Sequence, residues 1–331
     1  MVTPSTDGFA QKMRILFVTS TRIGDAVLST GLLAHLMARH PSARIWVACG
    51  PEAAGLFGAS PQVERVIPVV KKPLSLHWVT LWAKTVLRPW SLVVDLRSST
   101  LGWFLLARER RVFRSTPEPV HRVVQLSRLF GLKEPASPRL WFRSRHEDAA
   151  RKLIPPGSPV LALAPTANWR GKEWPAQNFI KLAERLTHAG APLAGARIAI
   201  FGAASERAAA MPVIDAFPAE RRIDLVGRTD ILTAAACLAR CAFFVGNDSG
   251  LMHLAAAAGV PTLGLFGPSR IEHYAPWGQR TATVSTSIPY DKLFPPGYDH
   301  RTTGTLMESL SVEAAEAAAV SLWHRVRGAA A

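Results

Sequence analysis

Short apolar runs alternate along this chain with stretches of helical periodicity. "RILFVTS" (Arg14–Ser20) is dense in bulky residues, and the following "TRIGDAVLSTGLLAHLMARH" sets Val27, Leu28, Leu32, Leu33 and Leu36 at helical spacing. "ARIWVAC", "VERVIPVV" and "SLVVDLR" predict three more strands before residue 100. After the linker-like "PPGSP" (Pro155–Pro159) the alternation restarts with "VLALAPT", "ARIAIFGA", "IDLVG", "CAFFVGND" and "VPTLGLFGP". Strands that are apolar nearly throughout, separated by helices, belong to parallel sheets covered on both faces. The pattern therefore predicts an α/β chain of two Rossmann-like, doubly wound domains facing across a cleft. The first is expected over residues 1–154 and the second over 155–310. "SVEAAEAAAVSLWHRVR" marks 311–331 as a C-terminal helix able to pack back across the domains.

In such sheets ligands bind beyond the carboxyl ends of the strands. Three strand ends in the second half are polar where the pattern would allow apolar residues. In "GNDSGLMHLAAAAG", Asp248 and Ser249 are natural helix N-caps. Gly246 and Gly250 also leave the backbone open to a ligand, and the free N–H groups of the helix start suit a phosphate. His253 follows Ser249 by about one turn and can face the same ligand. An Asp fits sugar or ribose hydroxyls better than a phosphate. "APTANWRGKEWP" supplies Thr166, Arg170 and Lys172, a hydroxyl and two cations suited to a diphosphate. In "FGAASERAAA", Glu206 either reaches ribose hydroxyls or caps a helix. Together these ends predict a nucleotide pocket. No G-x-G-x-x-G follows a strand, and no Walker loop or H-E-x-x-H is present.

Charge adds an anionic partner. Residues 1–150 carry 21 basic against 10 acidic side chains, whereas 151–331 carry 18 against 14. A basic first half suits nucleic acid, an acidic membrane or a phosphorylated substrate. No recognition motif or aromatic–basic repeat supports nucleic acid, so that partner is not expected. Four of the ten tryptophans (Trp78, Trp82, Trp90, Trp103) fall in one 26-residue window, beside Lys71, Lys72 and "RERRVFR" (Arg108–Arg114). Trp and Arg side by side suit a membrane interface. The polar start "MVTPSTDGFAQKMR" is not expected to be a signal peptide, and no apolar run reaches a spanning length. Cys49, Cys237 and Cys241 are expected as small core residues in a reducing, cytoplasmic compartment.

In order along the chain, "TRIGDAVLSTGLLAHL", "VVDLRSS", "KEWP", "NDSGLMHLAAAAGVPTLGLFGPS" and "HYAPWG" resemble glycosyltransferase family 9, the bacterial lipopolysaccharide heptosyltransferases. The resemblance covers almost the whole chain. It implies a GT-B fold, with the acceptor on the first domain and the sugar nucleotide on the second. It makes Asp25, the acid of the N-terminal "GD", the catalytic base, and Thr166, Lys172, Asp248, Ser249, Gly250 and His253 donor-site residues. The implied reaction is an inverting, metal-independent transfer of heptose from ADP-heptose to the inner core of lipopolysaccharide. No metal cofactor is expected, and no D-x-D pair is present to hold one. The implied partners are a nucleotide sugar, the lipopolysaccharide core or lipid A as acceptor, and the anionic cytoplasmic face of the inner membrane, for a chain acting as a monomer. The sequence departs from the family pattern where Ala203 and Ala204 precede Glu206, where Thr229 stands in place of a Met, and where the late segment lacks cysteines. The first two departures leave open a GT-B transferase using a different nucleotide sugar; the other alternative is a non-catalytic nucleotide-sugar-binding protein, against which the retained Asp25 and Lys172 argue.

Overall fold

A computed structural model describes residues 13–299 and 302–328; most of the polar opening segment lies outside the described residues. The first sheet contains β1 (Arg14–Val18), β2 (Arg44–Cys49), β3 (Val63–Pro68), β4 (Trp90–Asp95) and β5 (Ala107–Val112), in spatial order β3-β2-β1-β4-β5. The second contains β6 (Val160–Ala164), β7 (Arg197–Ile200), β8 (Arg222–Asp224), β9 (Phe243–Asn247), β10 (Thr262–Phe266) and β11 (Thr281–Ser285), in order β11-β10-β9-β6-β7-β8. All pairings are parallel. Each sheet reverses its winding direction once, between β1 and β4 and between β6 and β9, and crevices open at those points. The two doubly wound sheets of the expected α/β architecture are thus present.

All nine strands anticipated from apolar runs form. The central ones, β1, β6, β9 and β10, are buried almost end to end because helices cover both faces. Two edge strands had no such signature. β5 is spelled "ARERRV", and its exposed charges blunt an edge that would otherwise template pairing with another chain. β11, "TATVS", is only half-buried. Cys49, Cys237 and Cys241 are buried, and burial pushes the Cys49 and Cys237 thiols up to about 12.

The domains meet through helices. α1 (Ile23–Arg39), which follows β1, packs against α9 (Gly250–Ala257), which follows β9. Their first turns touch at glycines. A Cβ on Gly24 would lie 2.9 Å from His253 Cδ2, and one on Gly250 would lie 2.9 Å from the Ile23 side chain. A second seam joins α2 (Pro51–Phe57) and α5 (Ser144–Leu153) to α8 (Ile231–Leu238). α5, which precedes the Pro-rich stretch, packs on α8 of the second half, while its N-cap residue Arg143 donates to the Gly58 carbonyl of the first. The last helix, α11 (Val312–Gly328), packs on β10, β11 and α6 (Ala176–Thr187), and its buried residues Val312, Ala315, Ala319 and Leu322 join the second domain's apolar cluster.

A third joint runs from α4 (Arg122–Arg128) to α10 (Ile271–Tyr274). His121 caps α4 by accepting from Val123 N through Nδ1, which leaves Nε2–H to donate to the Ala275 carbonyl at 2.9 Å. Arg122 donates to the Tyr274 hydroxyl at 3.1 Å. Burial pushes the His121 pKa down to about 4, helped by the positive charge of Arg122. The unfolded chain, with an ordinary histidine pKa of about 6.5, then binds this proton first as pH falls. Stability held by His121 should therefore be complete above about pH 6.5 and decline toward pH 4, by at most about 1.4 kcal/mol per unit. Thermal melts of the protein from pH 7 to 5 should show a decline that His121→Gln flattens; an equal slope in both proteins would contradict the assignment.

Candidate active site at the meeting of two helix starts

Asp25 is the third residue of α1, not its N-cap, which is Arg22. The carboxylate is half-buried and accepts from the Ser20 hydroxyl at 3.3 Å, so the loop leaving β1 orients it. Beyond it opens a cavity of about 340 Å³ at the winding reversal of the first sheet. Ser20, Arg22, Asp25, Lys71, Arg97 and Arg122 line it, and Tyr274 reaches it from the second domain. Arg97 is braced by Thr21 Oγ1 at 3.1 Å, and Arg122 by Gln125 Oε1 at 2.8 Å as well as by Tyr274. Four cations around one carboxylate make a receptacle for an anionic molecule that also offers a hydroxyl to Asp25.

The loop that carries Arg97 is built by Asp95, the acid of "VVDLRSS". Asp95 is fully buried and accepts from Arg97 N at 2.8 Å, Ser99 N at 2.9 Å and Ser99 Oγ at 2.5 Å. Burial raises its pKa, and the hydrogen bonds oppose that rise. Its role is to shape a turn.

Across the joint, β6 and β9 present the residues expected to hold the donor. The strand end after β9 lacks the predicted capping: Ser249 stands at the N-cap of α9, but its side chain makes no cap bond, and its buried Oγ has no protein partner. A buried hydroxyl left unmatched in this way has unused hydrogen-bonding capacity toward a ligand. Asp248 is buried, and Lys172 Nζ reaches its Oδ2 at 2.5 Å. His253 is buried beneath the pair, with Nε2 3.8 Å from Asp248 Oδ1 and Nδ1 unpartnered. Burial lowers the His253 pKa, Asp248 and Asp25 oppose that, and Lys172 reinforces it. This imidazole therefore feels charges from both domains at once, and it packs on Gly24 as well as on the donor side.

The remaining candidates divide. Thr166 is buried and donates to Glu206 Oε2 at 3.0 Å. The same Glu206 oxygen accepts from Ala203 N at 2.8 Å, so the late-placed glutamate both caps its turn and ties it to the β6 strand end. Arg170 is exposed on the short turn Arg170–Lys172 that also holds Lys172. Gly250 contributes its missing side chain, which allows α1 to approach. No motif in the sequence singles out Asn247. Fully buried, it accepts from Trp174 N at 3.1 Å and donates to the Pro165 carbonyl at 2.8 Å. Asn247 thereby bolts the Lys172 loop to the Asp248 strand. An Asn at the end of an otherwise apolar strand was its only signal. Arg97, Arg122 and Ser20 are likewise unmarked, because nothing in their local sequence reports that they converge.

Among the described residues no group of three or more His, Cys, Asp or Glu side chains is arranged to hold a metal ion. What the site offers is a fixed ammonium, a helix start with roughly half a unit of positive charge, and the Asp25 carboxylate on the first-domain helix packed against that start.

The model of glycosyltransferase family 9 (heptosyltransferase) matches residues 82–294. The chain is 26% identical over 319 residues to lipopolysaccharide heptosyltransferase 2 of Salmonella typhimurium, covering 85% of this chain and 90% of that one. It is 27% identical over 322 residues to lipopolysaccharide heptosyltransferase 1 of Pseudomonas aeruginosa, covering 84% and 85%. Its fold is similar to that of the ADP-heptose lipopolysaccharide heptosyltransferase II of E. coli, with TM-score 0.73 at 20% identity over 95% of this chain and 100% of that one. With the two facing parallel sheets, these findings establish that the chain belongs to glycosyltransferase family 9 (heptosyltransferase) and is a glycosyltransferase.

Proposed function

We propose that this enzyme transfers heptose from ADP-heptose to the inner core of lipopolysaccharide, with inversion at the anomeric carbon and without a metal ion, as a monomer. The observation that carries the reading is the abutment of α1 and α9, which packs the turn holding Asp25 against His253 and the α9 start, while Lys172 pairs with Asp248 just before that start. The names of the curated relatives supply the sugar and the acceptor. In this reading the diphosphate lies on the α9 N–H groups, Ser249 Oγ and Lys172, with Arg170 at its edge. Asp248, Thr166 and Glu206 serve sugar or ribose hydroxyls, and His253 supports the floor. The acceptor's phosphates and carboxylates rest on Arg22, Lys71, Arg97 and Arg122.

The acceptor hydroxyl attacks the anomeric carbon as Asp25 takes its proton. The bond from that carbon to the β-phosphate oxygen breaks, and the electron pair leaves with ADP. An oxocarbenium-like transition state needs little nucleophilic push, so a carboxylate suffices as base when proton transfer is late. Charge gathering on the leaving phosphate meets Lys172 and the helix start, both already in place, so no dipoles must reorganise during the reaction.

Calorimetric titration with ADP, UDP, GDP and CMP in EDTA tests the donor: selective ADP binding is expected, and a preference for UDP or GDP would overturn it. Lys172→Ala should weaken ADP binding by about tenfold or more; unchanged affinity removes Lys172 from the phosphate. Asp25→Asn should keep ADP affinity and lower turnover by about 10²-fold or more, with near-normal turnover ruling Asp25 out as base. Retained anomeric configuration in the product would refute the single displacement.

A further inference from the structure

Between β3 and β5 the chain leaves large apolar side chains in solvent. Leu74 is 92% exposed at the tip of the loop after β3, followed by Leu76, Val79 and Trp82 on or beside the helix Leu76–Thr85. From the turn Leu101–Phe104 come Trp103 at 68% and Phe104 at 69%, with exposed Leu106 just beyond. The two segments are fastened together. Trp82 Nε1–H donates to the Phe104 carbonyl at 2.9 Å. Arg110 donates to the carbonyls of Gly102 at 2.7 Å and Leu105 at 2.8 Å while lying 5.8 Å from the Trp103 ring centre. The result is one apolar surface, held in shape by polar bonds behind it. The tip itself is backed by unusual backbone: Leu74 and Ser75 are consecutive non-glycine residues at φ 50° and 57°, in the left-handed region. Of the four clustered tryptophans, Trp90 belongs elsewhere. It is buried, stacks edge-on to Trp46 and donates to the Thr85 carbonyl.

Scattered exposed apolar residues are ordinary, but a contiguous set marks an interaction surface. Its surroundings identify the occupant. From Arg65 to Pro117 the sequence holds ten Lys and Arg against two acids, Asp95 and Glu109, and Asp95 is buried. Lys72, Lys84, Arg88 and Arg108 are exposed within those segments. A second copy would set these cations against themselves across a two-fold axis. A bilayer with anionic headgroups matches both features: apolar tips enter the headgroup–acyl boundary while cations meet phosphate. The orientation is useful as well. Lys71 lines the acceptor cavity and Leu74 is three residues further on, so docking here brings the cavity mouth to the lipid surface.

We propose that Leu74, Leu76, Val79, Trp82, Trp103 and Phe104 form a docking surface that seats this enzyme on an anionic bilayer. The proposal deepens the functional reading and rests on it for the idea that the acceptor is lipid-anchored. Co-sedimentation of the full chain with phosphatidylglycerol–phosphatidylethanolamine vesicles, against phosphatidylcholine vesicles, is the test. The expected result is binding to the anionic vesicles only, weakened by salt. The triple variant Leu74→Ser, Trp103→Ser, Phe104→Ser should bind at least about tenfold more weakly, and Lys84→Glu with Arg108→Glu should also lose binding. Both variants should keep wild-type ADP affinity by calorimetry, which certifies their fold. Equal vesicle binding by wild type and triple variant overturns the proposal, as does no binding by wild type. A wild-type dimer in sedimentation velocity that the triple variant lacks also overturns it, by giving the surface to a second copy. Vesicle binding without ADP binding leaves the surface standing and removes the donor reading; ADP binding without vesicle binding does the reverse.

Discussion

The candidate site depends on how closely two helices from different domains approach at their first turns. α1 and α9 can meet there because Gly24 and Gly250 carry no side chains; a methyl at either would collide with His253 or Ile23. Helix starts concentrate unpaired N–H groups and positive potential. Bringing two together is unfavourable unless negative charge is supplied nearby. Asp25 and Asp248 supply it in the protein, one from each domain, and a diphosphate would supply more. The same closeness holds the turn that carries Asp25 against His253 by packing between helices.

Charge is distributed around that joint by function. On the first-domain side, four cations surround a half-buried carboxylate. On the second-domain side, one lysine is neutralised by one aspartate, beside a helix start and an unsatisfied hydroxyl. The buried, neutral His253 between them adds polarity without adding a charge that either ligand would have to overcome. The His121, Arg122 and Tyr274 joint has a related economy. Arg122 lines the first-domain cavity and also grips the second domain, so filling the cavity and holding the domains together share a residue.

Much of this was legible in the sequence. Nine strands declared themselves by apolar runs: seven are interior strands, which must be apolar on both faces, and the edge strands β3 and β8 keep enough apolar residues to show. The polar insertions at "GNDSG" and "NWRGK" stood out against that background and marked the expected donor side. β5 and β11 escaped because an edge strand is free to be polar, and β5 looked like a plain basic run. The tryptophan cluster was read as a group, whereas the fold buries Trp90 and exposes Trp103; spacing alone cannot sort side chains that alternate between core and surface. The cations of the first-domain cavity were hidden for a different reason. Arg22, Lys71, Arg97 and Arg122 follow different strands, and only the winding order of the sheet brings their loops together.

Asp95 and Asp25 make an instructive pair. Both are acids near the ends of segments that flank the same crevice, and a scan for candidate bases would enlist either. Asp95 has committed its oxygens to two backbone amides and a hydroxyl, which converts a charged side chain into a piece of architecture. Asp25 has been given one long contact to a serine and room to face the cavity. The fold thus separates two chemically identical groups by how many hydrogen bonds it spends on each. Redundancy at the crevice is only apparent: exchanging the two neighbourhoods would leave the sequence composition untouched and the cavity without an uncommitted carboxylate.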